Sequence, residues 1–386
     1  MNTRANDQAP RLIDPSEAAF TAMLAQVEAR RREFSELRHI PRDMVDEFIR
    51  VGLFRAATPA KFGGDALPPA EFLRKIERIS AVDASAGWVA SFGSALVYFA
   101  SLPLTTQAEL YRDGPDLVFA GGLFPVQEAM SEPGGYRLNG HWRFASGCAA
   151  ADMLGVGISG GQDTKGKPLT ALLKPEDVEI VENWDVLGLE GTGSNELRVV
   201  DKFVPEEYTF VRGGDVNVDE PLFRYPAIAY AAQVLAVVNL GVGRAALDYL
   251  TEVGSGGSGI TGAPRLADRA YFRIELAKAE SLLRSARAFF YEITETAWEI
   301  VLRGDPLDDR TAGLLRLAGT AAVKAGWQAT QIAFTLAGTG AIYNGHPLQK
   351  MLRDAAVPPQ HAFLGDGIFD SAGSVLTGGT PFPGFI

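Results

Sequence analysis

The hydrophobic pattern of this chain changes its period twice, and this change constrains the fold more than any other feature. From about residue 15 to residue 112, apolar side chains recur at three- and four-residue spacing, which is typical of amphipathic helices. From about 116 to 221, short β-prone runs alternate with turns rich in glycine and proline. Helical spacing then returns in longer pieces. The predicted fold class is α+β: an N-terminal helical domain (1–115), a central antiparallel β-barrel or sandwich (116–222) and a C-terminal four-helix bundle with a tail (223–386).

Composition narrows the function classes. The chain has 386 residues, a formal net charge of −11 and no clustered run of Lys and Arg, so we expect no nucleic-acid partner. Its single cysteine, Cys148, excludes an intrachain disulfide, and its four scattered histidines predict no metal site. The N-terminus lacks a signal segment, and the longest apolar run, Tyr225 to Leu240, is interrupted by Pro226 and Gln233. We expect a cytoplasmic enzyme that does not enter a membrane.

Three short segments carry residue types suited to a ligand site. Phe119 to Pro125 contains paired glycines, which either form a simple turn or let a flat ring approach the backbone. Trp142 to Gly147 ends a predicted strand with an aromatic side chain and a hydroxyl. Arg353-Asp354 is followed by His361, which by itself fits a surface or capping position better than a catalytic one.

Taken in order, these segments resemble the acyl-CoA dehydrogenase superfamily from about residue 20 to residue 365. That family has the same domain order and commonly forms tetramers. The resemblance is carried by Gly52-Leu53-Phe54 with Pro59 to Gly64, Asn139 to Ser146, Leu187 to Ser194 with Val204 to Glu207, and Ala337 to Gly340 with Arg353-Asp354. It implies a homotetramer with flavin contacts at Gly122, Leu123, Phe144, Ala145, Ser146 and Gly338.

The departures from the family pattern bear on the chemistry. A dehydrogenase of this family needs a carboxylate base at the flavin's face, and both usual positions are empty. No acid lies between Glu220 and Asp248, and none lies between Asp354 and Asp366. These departures resemble the two-component flavin monooxygenases, such as the oxygenase component of p-hydroxyphenylacetate hydroxylase. The similar segments are Asp83 to Val89, Phe144 to Gly147, Gly191 to Asn195 and the histidine after Arg-Asp.

This resemblance implies a mechanism in which reduced flavin and O2 form a C4a-hydroperoxide. Ser146, near flavin N5, would slow the loss of peroxide. His361 would supply the proton, because we expect its pKa to lie near the working pH. Trp88 and Phe124 would line the substrate pocket. Residues 119–129 contain no histidine to contact a phenolate, which favours an apolar aromatic substrate such as an indole.

The identity of the flavin stays open between FAD and FMN. The chain contains no nicotinamide-binding fingerprint, so we expect a separate flavin reductase to deliver reduced flavin by diffusion. Arg265 is either a partner of the flavin phosphate or an exposed cation at a helix start, and the glycine-rich stretch 254–262 is predicted to be a mobile loop over the site. The prediction is an oxygenase component that hydroxylates or epoxidises a small aromatic. The alternatives are a dehydrogenase-like desaturase or nitroalkane-type oxidase, and a degenerate flavin-fold binding protein.

Overall fold

The computed structural model describes residues 13–160, 164, 167–256, 264–382 and 384–385. The N-terminal region is helical, and its fourth helix is buried along its whole length. Asp83 caps that helix by accepting a hydrogen bond from the Ala86 N–H at 2.9 Å. The elements are α1 (Glu17–Leu37), α2 (Arg42–Arg50), α3 (Pro69–Val82), α4 (Ala84–Ser91), a 3-10 segment (Phe92–Ser101) and α5 (Leu104–Leu110).

The central region forms one sheet of eight strands among the described residues, in the order β6-β7-β3-β1-β4-β5-β8 with β2 beside β3. Trp142 is fully buried in its core and donates to the Gly157 carbonyl at 2.7 Å. The strands are β1 (Phe119–Gln127), β2 (Met130–Glu132), β3 (Gly135–Ala145), β4 (Met153–Ile158), β5 (Leu169–Leu173), β6 (Glu179–Val181), β7 (Asn195–Pro205) and β8 (Thr209–Val211).

One pair of strands departs from the antiparallel prediction. Strands β1 and β4 run parallel, with Phe119 opposite Met153, whereas the other pairs in the described sheet are antiparallel. The chain reverses after β1 into β3 and reverses again before β4, so β4 points the same way as β1. Because β7 already occupies the other side of β3, β4 pairs with β1.

The C-terminal region consists of α6 (Pro221–Arg224), α7 (Ala227–Ser255), α8 (Ala270–Leu302), α9 (Asp309–Ala337), α10 (Pro347–Ala355) and α11 (Gly367–Leu376). The fourth helix of the predicted bundle is the short α10, which packs against α7 and α9. Small residues let the long helices approach closely, as a Cβ at Gly326 would lie 2.1 Å from the Asn239 carbonyl oxygen. The predicted fold class is confirmed, while the domain boundaries stay predictions.

Helix α7 is the one described helix that is long and apolar enough to cross a membrane. Its most apolar window is 78% buried inside the protein, as in the core helix of a soluble protein. The helix therefore serves as the centre of the bundle.

Candidate active site

Strand β3 ends in a sharp turn that separates two neighbouring side chains. Phe144 has a φ of 66°, a left-handed conformation that costs a non-glycine residue about 1–3 kcal/mol. The Ser146 N–H bonds the Phe144 carbonyl at 3.0 Å, and the Gly147 N–H bonds the Thr192 carbonyl at 2.8 Å. The turn leaves Phe144 57% exposed and Ser146 only 5% exposed. It thus points the hydroxyl inward, towards helix α4.

Ser146 belongs to a chain of buried hydroxyl groups. The Trp88 indole N–H donates to Ser146 Oγ at 3.1 Å, and Ser146 Oγ lies 2.6 Å from Ser194 Oγ. Ser194 Oγ lies 2.7 Å from Thr192 Oγ1, which donates to the Leu189 carbonyl at 2.9 Å. We call Ser146, Ser194 and Thr192 the hydroxyl chain. All three are 5% exposed or less.

The direction of every bond in the hydroxyl chain follows from its two ends. A hydroxyl has one hydrogen to donate, and that of Thr192 goes to the Leu189 carbonyl. Ser194 must then donate to Thr192, and Ser146 must donate to Ser194. Ser146 accepts from Trp88 and keeps one lone pair for a further donor. Towards any ligand in this site, Ser146 is therefore an acceptor.

The loop that carries Thr192 and Ser194 is held by the Arg353-Asp354 motif. Arg353 donates to the Leu187 carbonyl at 3.0 Å and to Glu190 at 3.1 Å, and the Leu189 N–H donates to Asp354 at 2.7 Å. Lys350 joins Asp354, at 2.6 Å, to Asp83, at 3.0 Å. This motif thus connects α10, the 187–195 loop and the cap of α4, and its role is to position the hydroxyl chain.

Trp88 also brings His361 to this site. The Trp88 and His361 rings meet edge to face with centroids 6.2 Å apart, and the His361 and Phe363 rings do so at 5.1 Å. His361 Nδ1 accepts the Phe363 N–H at 3.2 Å, so the proton of the neutral imidazole sits on Nε2. The structure thus joins the predicted catalytic pair, Ser146 and His361, through Trp88.

The charge state of His361 differs from the one the sequence suggested. Burial, and then the positive charges of Arg212 and Arg316, lower its pKa to about 4. The expectation of a pKa near the working pH is wrong for the protein without ligand, because the imidazole is removed from water and both charged neighbours that shift its pKa are cations. His361 is a neutral imidazole at neutral pH.

These two cations were not among the site residues predicted from the sequence. We call Arg212 and Arg316 the arginine pair: both guanidinium groups lie over the ring of Phe363, at 5.8 and 5.4 Å from its centroid. Arg212 also lies 5.9 Å from the ring centroid of Tyr98. Asp366, the first acid after Asp354, does not reach this cluster, because it is exposed and pairs with Lys324.

The predicted flavin contacts at Gly122, Leu123, Phe144 and Ala145 lie where β1 pairs with β3. Gly122 is buried against β3, where a Cβ would lie 3.1 Å from the Arg143 carbonyl oxygen, so its close approach here is to a strand. Leu123 is half-buried and Ala145 is buried, while Phe124 is 64% exposed and Phe144 is 57% exposed. This exposed apolar surface beside a buried hydroxyl acceptor fits a flat flavin ring.

Three predicted residues make no direct contact of this kind with the catalytic pair. Among the described residues, no hydrogen bond or ring contact joins Phe124, Arg265 or Gly338 to Ser146 or His361. Arg265 is exposed and pairs with Asp268 through bonds of 2.9 and 3.1 Å, which matches the exposed-cation alternative. Gly338 ends α9 in the open, with a φ of 74°. Much of the predicted glycine-rich loop, 257–262, falls outside the described residues.

The fold defines the class of protein. The structure of 3-HSA hydroxylase from Rhodococcus sp. RHA1 matches with a TM-score of 0.88 over 96% of this chain and 98% of that one, at 23% identity. XiaF from Streptomyces sp., solved in complex with FADH2 and glycerol, matches with a TM-score of 0.84 over 95% and 97%, at 22% identity. This chain therefore has the fold that these two structures share.

The sequence comparisons then give the family. The model of the acyl-CoA dehydrogenase C-terminal domain matches residues 233–365. Indole-3-acetate monooxygenase from Pseudomonas putida is 49% identical over 381 residues, covering 98% of both chains. The chain belongs to the flavin-dependent monooxygenase branch of the acyl-CoA dehydrogenase superfamily. It is the oxygenase component of a two-component system, and it uses reduced flavin and O2 to oxygenate an aromatic substrate, as predicted.

Proposed function

We propose that the substrate is an indole-type aromatic, with indole-3-acetate as the first candidate, and that Ser146 and His361 are the catalytic residues. The observation that carries this proposal is the continuous aromatic wall of Trp88, His361 and Phe363, which begins at the hydroxyl chain. The 49% identity to a relative named for indole-3-acetate supports the choice of substrate.

Each residue has a defined part in the proposed mechanism. Reduced flavin, when bound, activates O2 so that one oxygen atom can pass to the aromatic ring. Ser146 would accept a hydrogen bond from a flavin N–H through its free lone pair, and Leu123 and Phe144 would hold the ring. Trp88 and Phe363 exclude water from the reacting face. The neutral imidazole of His361 holds its proton on Nε2, where it donates a hydrogen bond towards the reacting oxygen.

Oxygen incorporation tests this function. The purified protein, given indole-3-acetate, O2 labelled with oxygen-18, and FMN or FAD kept reduced by a flavin reductase, is expected to yield a product that carries one labelled atom. A protein that forms no labelled product with any indole, while it reduces a dye with an acyl-CoA, would contradict the proposal.

A pair of histidine variants tests the catalytic role. His361→Asn is expected to lower the yield of product per O2 consumed by about tenfold or more, with hydrogen peroxide released instead. His141→Asn is the matched control, because His141 is exposed and pairs with Glu196 on the sheet. Equal yields for the two variants would leave His361 with a structural role only.

The assembly and location belong to the same proposal. We expect a cytoplasmic homotetramer that meets its flavin reductase only transiently. Support for the tetramer comes from large apolar side chains exposed on the bundle: Tyr271 and Ile274 at 52%, Ile342 at 60% and Tyr343 at 72%. Sedimentation equilibrium measures the mass directly, and a monomer at micromolar concentration would contradict the tetramer.

A further inference from the structure

Arg316 is a buried cation whose hydrogen bonds are mostly unmade. Its side chain, on α9, is only 2% exposed. One terminal nitrogen donates to the Phe363 carbonyl at 3.4 Å, and the other terminal nitrogen and Nε have no partner among the described residues. Burial lowers the pKa of Arg316 to about 10, which still leaves it charged at neutral pH. A buried charge without a partner is strongly destabilising, so this arginine requires an explanation.

Its neighbours supply aromatic faces and further donors, but no acid. The guanidinium lies 5.4 Å from the ring centroid of Phe363 and 5.6 Å from that of Phe385. Such contacts favour a cation but leave its N–H groups unpaired. Arg212 lies over Phe363 as well, and neither arginine forms an ion pair with a described acidic residue. Tyr98, 6% exposed, adds a buried hydroxyl that has no partner among the described residues.

These unpaired donors adjoin the proposed substrate wall. Phe363 contacts both arginines, and its ring also meets that of His361, which in turn meets Trp88. The site therefore has a polarity: a hydroxyl acceptor at the Trp88 end and two cations with a phenol at the Phe363 end. A molecule that matches both ends has an aromatic ring at one side and an anion at the other.

We propose that the arginine pair and the Tyr98 hydroxyl bind the carboxylate of an aromatic acid whose ring lies against Trp88 and His361. This rests on the proposed function and names the recognition site within it. Arginine is suited to binding a carboxylate because its planar N–H groups match the two carboxylate oxygens. A bound carboxylate would also accept hydrogen bonds from the donors that are unpaired in the free protein.

Binding measurements test the proposal without turnover. Indole-3-acetate and its neutral amide, indole-3-acetamide, are titrated by calorimetry into protein holding oxidised flavin. Arg316→Gln is expected to weaken binding of the acid about 10- to 100-fold and that of the amide less than about twofold. Arg310→Gln is the matched control, because Arg310 is an exposed arginine on the same helix. It should leave both affinities unchanged.

Two further variants test the same site without depending on the folding of Arg316→Gln. Arg316→Gln removes the desolvation cost of an unpaired buried charge. Without ligand, its melting temperature should therefore be no lower than that of the wild type. Should it fail to fold, Arg212→Gln changes a half-buried arginine with the same expected selectivity for the acid. Tyr98→Phe should weaken acid binding about threefold to tenfold.

The imidazole of His361 gives a second readout, independent of affinity. A bound carboxylate neutralises the field of Arg212 and Arg316, so the acid should raise the pKa of His361 above its ligand-free value of about 4. The amide should not. An NMR pH titration of protein that carries isotope-labelled histidine measures this difference. The spectrum of His361→Asn identifies which signal belongs to His361.

The outcomes separate this inference from the proposed function. Acid binding that is unchanged in Arg316→Gln and Arg212→Gln overturns the carboxylate site, even where labelled product still forms. Equal losses for acid and amide overturn it too. A loss of flavin affinity in place of acid affinity would show that the pair binds a flavin phosphate, and would also overturn it.

Discussion

The hydroxyl chain and the arginine pair lie at opposite ends of one aromatic wall, and they differ in how fully their polar groups are satisfied. Each hydroxyl of Ser146, Ser194 and Thr192 has a donor and an acceptor in place. In the part of the chain that the structure describes, Arg316 and Tyr98 have buried donors without partners. A satisfied network is preorganised and holds one polarity before any ligand arrives. An unsatisfied one is completed by its ligand, so its energy is available for recognition.

The largest expected effect on stability comes from removing Lys350, which links the two aspartates next to the hydroxyl chain. Lys350→Met leaves the carboxylates of Asp83 and Asp354, whose side chains are 1% and 4% exposed, without their shared cation. Uncompensated buried charges of this kind cost about 3–5 kcal/mol in the free energy of unfolding. Urea unfolding measures the loss.

Lys324→Met is the matched control for that variant. Lys324 also pairs with an aspartate, Asp366, but that carboxylate is 84% exposed. Exposed pairs contribute about 0–1 kcal/mol, so the control should be nearly neutral. Similar losses in the two variants would contradict the structural role given to the Arg353-Asp354 region.

Next in size is the removal of the hydroxyl nearest to the proposed flavin. Ser146→Ala leaves the Trp88 indole N–H without its acceptor, which costs about 1–3 kcal/mol of stability. We also expect the product formed per O2 to fall about tenfold while hydrogen peroxide rises. Ser91→Ala is the control, since that buried hydroxyl bonds only the Trp88 carbonyl of its own helix. A wild-type product yield in Ser146→Ala would remove Ser146 from catalysis.

The burial of His361, and then the charges of the arginine pair, should make the stability of the protein depend on pH. The pKa of His361 is about 4 in the folded protein against an ordinary value of 6.5. Between these values the unfolded chain binds a proton that the folded chain does not, so the free energy of unfolding falls as the pH falls. Because His361 is partly exposed to solvent, we expect the free energy of unfolding to change by about 1–2 kcal/mol over this pH range.

His361→Asn should remove this dependence of the free energy of unfolding on pH. Arg316→Gln should weaken the same dependence, because it removes one of the two cations. Unfolding of the three proteins at a series of pH values between 6.5 and 4 provides the measurement. An identical slope in wild type and His361→Asn would place the pKa of His361 near its ordinary value.

The same comparison shows what the sequence could and could not predict. Ser146, His361 and Trp88 were found because they lie in segments that resemble a family, and the change of period gave the order of helices and strands. The arginine pair lies in no such segment: Arg212 follows β8 and Arg316 lies on α9. Only folding brings their side chains to Phe363.

One local signal could have found part of the missed site. Arg316 interrupts the apolar run Leu314-Leu315-Arg316-Leu317-Ala318, which places a charge on a helix with a buried face. The pKa of His361 had no comparable signal, because it depends on burial and on cations more than forty residues away in sequence. The identity of an element can be predicted locally, whereas the electrostatics of a site cannot.

The smallest expected effect tests the polarity of the hydroxyl chain. Ser146 donates its hydrogen to Ser194, so it can only accept from a ligand. Where Ser146 faces flavin N5, as proposed, this would favour reduced flavin, whose N5 carries a hydrogen, over oxidised flavin, whose N5 is an acceptor. Ser194→Ala frees that hydrogen, and the preference for reduced flavin should fall about threefold to tenfold. Anaerobic titration with both forms of the flavin measures the ratio of dissociation constants.

A conservative pair of variants sharpens that last test. Thr192→Val removes the acceptor that orients Ser194, so Ser194 can turn its hydrogen towards Ser146 and release the hydrogen of Ser146 in the same way. Thr192→Ser keeps the hydroxyl and should keep the wild-type ratio. An equal ratio in all of these proteins would mean that Ser146 does not face N5, whereas a fall in Ser194→Ala and Thr192→Val but not in Thr192→Ser would locate the anchor of the polarity at the Leu189 carbonyl. The preference for reduced flavin would then depend on a carbonyl three hydrogen bonds away from Ser146.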